Sequence, residues 1–199
     1  DANNSLSTQM KATGEVMSIG RTVEESLQKA VRSLENGRCH LHHPKFDGMG
    51  EKELLSYIKI GTDDRIYAIA GLLRLGTDTG SIARASGIDL FFIRKLRNIV
   101  AKENEIKANT GDIKVLGEAK KMGFSEKAIA QFWNMDEMEI FDLRKKNGIF
   151  PVYKMIDTCA SEFASYIPYF YSTYEEENES EVSDKKKVVV LGSGPIRIG

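Results

Sequence analysis

The protein has 199 residues, 28 Lys and Arg against 29 Asp and Glu, a formal net charge of −1, 41% hydrophobic residues and 2 Cys. That length fits one domain, or one domain with pieces of others, and buries enough surface to need no disulfide or metal staple. The balanced charge argues against a general binder of nucleic acid or anionic membranes, and no apolar run approaches the ~20 residues of a membrane span. The opening Asp1-Ala2-Asn3-Asn4 lacks the regions of a signal peptide, while Cys39 and Cys159 stand alone, which points to a reducing cytoplasm.

Thr22-Val23-Glu24-Glu25 fits a capping box, in which a hydroxyl caps the helix start and a carboxylate three residues on reaches back. Val23, Leu27, Val31 and Leu34 follow at helical spacing, so a helix is predicted from Val23 to Asn36 with Gly37 as its stop. Residues 37–50 form a loop in which Cys39, His40, His42 and His43 invite a metal reading. The four crowd into five residues with no second ligand group downstream, so the segment is read as a solvated loop and no metal site is assigned.

From Glu51 to Gly148 the pattern is helix after helix. Leu54, Leu55 and Ile58 form one apolar face, ended by Gly61; Thr62 is placed as the cap of a further helix with Ile66, Ile69, Ala70 and Leu73 inside and Gly76 at its end. The sequence then repeats itself: 76–97 and 123–144 align without gaps at an offset of 47 residues. Gly76/Gly123, Ile82/Ile129, Ala83/Ala130, Asp89/Asp136, Ile93/Ile140, Leu96/Leu143 and Arg97/Arg144 coincide, each copy reading as helix, tight turn, Asp cap and helix. Two copies fall short of a solenoid and make a paired helical module. The same pattern raises a helix-turn-helix, nucleic-acid-binding alternative, since Arg94, Lys95, Arg97, Arg144, Lys145 and Lys146 have the charge to meet phosphates. Asp136, Glu137, Glu139 and Asp142 would repel a duplex, and the basic residues read better as the ordinary wet face of a helix.

Residues 151–177 are dense in aromatics (Tyr153, Phe163, Tyr166, Tyr169, Phe170, Tyr171, Tyr174), which predicts a stretch packed against something substantial. Asp157, Cys159 and Glu162 lack a histidine base, so Cys159 is read as a buried structural thiol. A charged linker over 175–187 marks a boundary. Val188–Leu191 then runs into Gly192, Ser193 and Gly194, as a buried parallel strand meets a phosphate-binding turn, although Pro195 and Arg197 depart from the dinucleotide fingerprint. The chain is expected to be a segment of a longer protein that stops as an α/β domain begins.

Three of these stretches resemble one family. Leu6–Glu35 resembles the end of the first ATP-grasp half of the carbamoyl-phosphate synthase large subunit, Val152–Glu176 the passage before its second half, and VVVLGSGPIRIG the opening strand and turn of that half. The helical stretch between them, internal repeat included, sits where that family has its oligomerization domain. The resemblance implies an all-α fold, a helical oligomerization domain over 38–184 with two helix-turn-helix-like repeats. It would be flanked by truncated ends of α/β ATP-grasp halves at 1–37 and 185–199. It also implies a parent ligase that makes carbamoyl phosphate from bicarbonate, glutamine-derived ammonia and two ATP for arginine and pyrimidine synthesis. ATP and Mg²⁺ serve that parent, whose partners are a glutamine-hydrolysing small subunit and other large subunits, with no nucleic acid and no membrane. Within this segment no catalytic residue and no cofactor are implied. Gly192, Ser193 and Gly194 match the opening turn of the second half without its other ligands, and Glu15 and Arg21 match supporting positions.

Overall fold

The first predicted helix, α1, spans Val23–Ser33 in a computed structural model of the protein that describes residues 8, 15–34, 36–163, 169–192 and 197–198. The Thr22 hydroxyl accepts from the Glu25 amide at 3.1 Å, but the Glu25 carboxylate accepts from the amide of Arg21, at 2.7 Å, one residue before the expected partner. α1 ends at Ser33 rather than Asn36. Leu34 closes it on the Ala30 carbonyl, and Gly37 turns the chain at φ +81°, where a Cβ is disfavoured. The 37–50 loop is less solvated than its polarity predicts: Cys39, Leu41 and Phe46 are buried, the last in a single 3-10 turn over Pro44–Phe46.

α2 (Glu51–Tyr57) and α3 (Arg65–Arg74) follow. Leu54, Ile58, Ile69, Ala70 and Leu73 are buried as their spacing predicts, and α3 also buries Tyr67, Ala68 and Leu72, so it is enclosed on a wider face than an amphipathic stripe. Thr62 does not cap it. The helix starts at Arg65, and Asp64 before it has turned its carboxylate away to Lys45 Nζ and the Tyr57 hydroxyl, each at 2.6 Å.

The two sequence repeats form two helix pairs, α4 (Thr79–Ser86) with α5 (Leu90–Ala108) and α7 (Glu126–Trp133) with α8 (Glu137–Lys146), separated by α6 (Ile113–Lys121). Asp89 accepts from the Phe91 amide at 2.7 Å and Asp136 from that of Met138 at 2.8 Å, so each carboxylate satisfies an amide that the helix start leaves unpaired. Ile82, Ile129, Ile93 and Ile140 are all fully buried. The turn between helices also repeats: Gly87 (φ +69°) and Asn134 (φ +51°) are left-handed C-caps at matching positions, Asn being among the side chains that best tolerate this region. α5 is the axis of the core and touches α1, α3, α4, α6 and α7. Trp133 Nε1 donates to the Ile106 carbonyl at 2.7 Å and ties the second pair to the end of α5.

Beyond Gly148 regular structure thins. β2 (Val152–Met155) pairs antiparallel with β3 (Phe170–Thr173), Val152 opposite Thr173, and β1 (Glu15–Val16) pairs antiparallel with β4 (Arg197–Ile198). The aromatic stretch is not packed as predicted: Tyr153, Phe163, Tyr169 and Phe170 are exposed, Tyr171 and Tyr174 are half-buried, and Tyr166 lies outside the described residues. Cys159 is half-exposed, not buried. Nor is the run before Gly192 a buried strand. Val188, Val189, Val190 and Leu191 are 80–91% exposed, and no described segment supplies the sheet neighbours that a parallel strand needs.

Candidate interaction surface

The first turn of α5 places Phe91 and Phe92 half in solvent, edge to face with ring centroids 5.2 Å apart. Phe92 belongs to the wall of an apolar groove of about 400 Å³ between α1, α3 and α5, whose floor is built from Val23, Leu27, Ile66, Ile88 and Leu96. A large exposed apolar residue recurs at the matching place in the second copy, Met138 at the second position of α8. The two helix starts thus leave large apolar residues exposed at equivalent positions of the repeat.

The interior holds several charges, among them Arg144, which was expected on the wet face of a helix. Arg144 is only 6% exposed and Lys120 only 5%. Both hold Glu126, Lys120 Nζ at 2.9 Å and Arg144 Nε at 2.8 Å, while Lys120 also donates to the Phe124 carbonyl and Arg144 to that of Ile149. The Tyr174 ring lies beneath both cations at 5.1 and 5.7 Å. Burial pushes Lys120 down to about 8 and the Tyr174 hydroxyl up to about 12. Burial opposes ionisation of Glu126, yet Lys120 and then Arg144 hold its carboxyl below the usual range. A second network is Glu103, 2% exposed, which accepts from Arg74 Nη2 at 2.7 Å and from Lys107; a third joins Glu24 to Asn98 at 2.9 Å and Lys95 at 3.4 Å. Spacing was the missed signal. Arg144 lies four residues after buried Ile140, Glu103 four after Ile99, and Lys120 four after Leu116, each on the inner face of its helix.

The residues singled out from sequence are spread over the molecule. His40 faces Cys39, Nδ1 to Sγ at 3.4 Å, and its ring meets Phe132 edge-on, and burial drives it down to about 4. His42 bonds Asp47 at 2.8 Å, and His43 caps the 3-10 turn through the Lys45 amide at 3.0 Å. Each imidazole therefore has its own partner, and among the described residues no group of three His, Cys, Asp or Glu is placed to hold a metal ion. Asp157 closes its own turn by accepting from the Cys159 and Ser161 amides at 2.9 and 2.6 Å. Arg21 pairs with Glu175 at 2.8 Å, tying the start of α1 to the segment after β3, whereas the Glu15 side chain lies outside the described residues. Gly192 is exposed with no neighbour that a Cβ would meet, and Ser193 and Gly194 lie outside the described residues. Of the basic residues of the helix-turn-helix reading, Arg94 and Arg97 are exposed, Lys95 faces Glu24 and Arg144 is interior. Among the described residues no helix is long and apolar enough to cross a membrane.

Residues 15–148, from β1 to the turn after α8, match the family model for the oligomerisation domain of the carbamoyl-phosphate synthetase large chain. The match spans both helix pairs, the ionic interior and the α5 groove. On that match the chain belongs to the family of the carbamoyl-phosphate synthetase large-chain oligomerisation domain.

Proposed function

We propose that this chain serves subunit association and the linking of two catalytic halves in a carbamoyl-phosphate synthase large subunit, without activity of its own. In this reading 38–184 is the association domain, 1–37 ends the first ATP-grasp half and 185–199 begins the second. The parent enzyme, cytoplasmic, joins bicarbonate, glutamine-derived ammonia and two ATP into carbamoyl phosphate for arginine and pyrimidine synthesis. ATP and Mg²⁺ act in its two halves, and the glutamine-hydrolysing small subunit and other large subunits are its partners. The observation that carries the reading is the family match over the helical core. The half-exposed Phe91 and Phe92 beside an apolar groove, with Met138 in the second copy, support a face for association.

Light scattering over a range of concentrations tests it: the mass is expected to rise with concentration, and a strict monomer throughout would move the association to other parts of the parent. An ATP-turnover assay with bicarbonate and ammonia is expected to read zero, and clear turnover would overturn the assignment of a non-catalytic role.

A further inference from the structure

The end of α1, the turn at 37–39 and the start of α7 enclose a cleft of about 330 Å³ lined by Arg32, Arg38, Cys39, Ser125, Lys127 and Glu137, with Gly37 at its edge. We propose that this cleft binds a phosphate dianion, free or as the monoester of a small molecule.

Charge favours such a ligand. Three cations line the cleft against the single carboxylate of Glu137, a formal surplus of two positive charges that matches a dianion. Among the described residues none of the three has a carboxylate within ion-pair distance. Arg38 shares a hydrogen bond with the His43 ring at 3.1 Å, and Arg32 donates through one Nη to the Gly123 carbonyl. The carboxylates behind them are committed: Glu126 to Lys120 and Arg144, Glu25 to Lys29 at 2.7 Å. Arg32 is thus a half-buried guanidinium near two interior cations, Lys120 and Arg144, that share one carboxylate. Burial lowers its proton affinity even though the fields of Glu126 and Glu25 oppose that shift. An anion in the cleft would supply the missing charge.

Donor geometry favours it as well. A guanidinium offers five N–H groups in a planar fork suited to two phosphate oxygens, and Arg32 spends one of them on Gly123. Ser125 Oγ accepts from the Ala128 amide at 3.1 Å as the cap of α7, which leaves its own hydrogen to donate outward. Two guanidiniums, an ammonium and a hydroxyl therefore surround a space of the size that small ligands occupy. Glu137 is the one group in the lining that opposes an anion.

That opposition makes the test two-sided. Inorganic phosphate is titrated into the whole chain at constant ionic strength, with sodium chloride as control, and read by amide shifts in ¹H–¹⁵N NMR. Saturating shifts are expected at 37–39 and 125–127. Arg38→Gln and Lys127→Gln each weaken binding by about tenfold, as for the loss of one charge-assisted hydrogen bond. Glu137→Gln strengthens it, a gain that a merely structural role for these residues would not produce. Glycerol phosphate separates the sources: equal affinity means that the phosphoryl group alone is recognised, and tighter binding means a monoester ligand. Shifts that do not saturate, that chloride reproduces, or that persist unchanged in all three variants would overturn the proposal.

Discussion

Gly76 and Gly123 stand at the same place in the two helix pairs, and replacing each with Ala separates two costs that usually come mixed. Both lie at positive φ, +82° and +90°, where a Cβ costs about 1–2 kcal/mol. At Gly76 the new methyl would meet nothing within 4 Å. At Gly123 it would lie 2.9 Å from the Cα and 3.0 Å from the carbonyl oxygen of Glu25, backbone atoms of α1 that cannot swing aside. They are held there by Gln28 Nε2 on the Met122 carbonyl at 3.1 Å and by Arg32 on the carbonyl of Gly123. Forcing α1 outward adds about 1–3 kcal/mol, as overpacking does. Gly76→Ala should then lose about 1–2 kcal/mol and Gly123→Ala about 2–5 kcal/mol. Urea unfolding reads both as a lowered midpoint at unchanged slope. Equal losses at the two sites would refute the seating of α1 against the α6–α7 turn.

Glu126→Gln leaves Lys120 and Arg144 interior without their shared carboxylate, so it should cost about 3–5 kcal/mol in urea unfolding at pH 7, and a loss below about 1 kcal/mol would contradict the buried network. Trp133→Phe removes the bond to Ile106 but leaves that carbonyl with the Asn109 amide at 3.2 Å, so the hydrogen-bond part of the loss should be about 1 kcal/mol, read against a Phe control at an exposed site. His40, lowered to about 4, stays neutral in the fold while the unfolded chain protonates it near 6.5; the unfolded state therefore binds more protons between those values, and stability falls as the pH drops from 6.5 towards 4, by at most about 3 kcal/mol. Relative to His40→Leu, the wild-type chain should lose that margin on acidification, and a pH-independent difference would contradict it.

How far the fold was legible depends on which force set each element. The caps and the internal repeat were readable because they are local: Asp89 and Asp136 do the same work three residues from their amides or nearer, and Ile82, Ile129, Ile93 and Ile140 are buried at repeated spacings. Thr62 was misassigned because its rival, Asp64, is drawn away by Lys45 and Tyr57, a contact no window along the chain contains. Arg144 was misjudged by residue type. It sits at core spacing, as do Glu103 and Lys120, and each of the three has a partner of opposite charge 6–29 residues away. The cleft at 37–39 and 125–127 was invisible for the same reason, since its cations come from stretches about 90 residues apart that meet where α1 seats on the α6–α7 turn and Cys39 bonds Gln131.

The two copies agree outside and differ inside, and that contrast bears on association. Inside, Arg97 is exposed where Arg144 is buried, and Gly76 faces open space where Gly123 faces α1, so each pair meets a different neighbour. Outside, Phe91 and Met138, offset by the repeat, are 51% and 59% exposed. Substitution at such exposed positions costs little: Phe91→Ser and Met138→Ser should each shift stability by within about 0.5 kcal/mol. If these positions serve contacts between chains, the same substitutions should weaken association by about tenfold or more, since an apolar side chain buried at an interface contributes about 1.5–3 kcal/mol. Sedimentation equilibrium beside urea unfolding measures both quantities on the same samples. Loss of association with stability intact identifies an interface; loss of both makes these residues part of the core; and loss of neither puts the contact face elsewhere on the helical module.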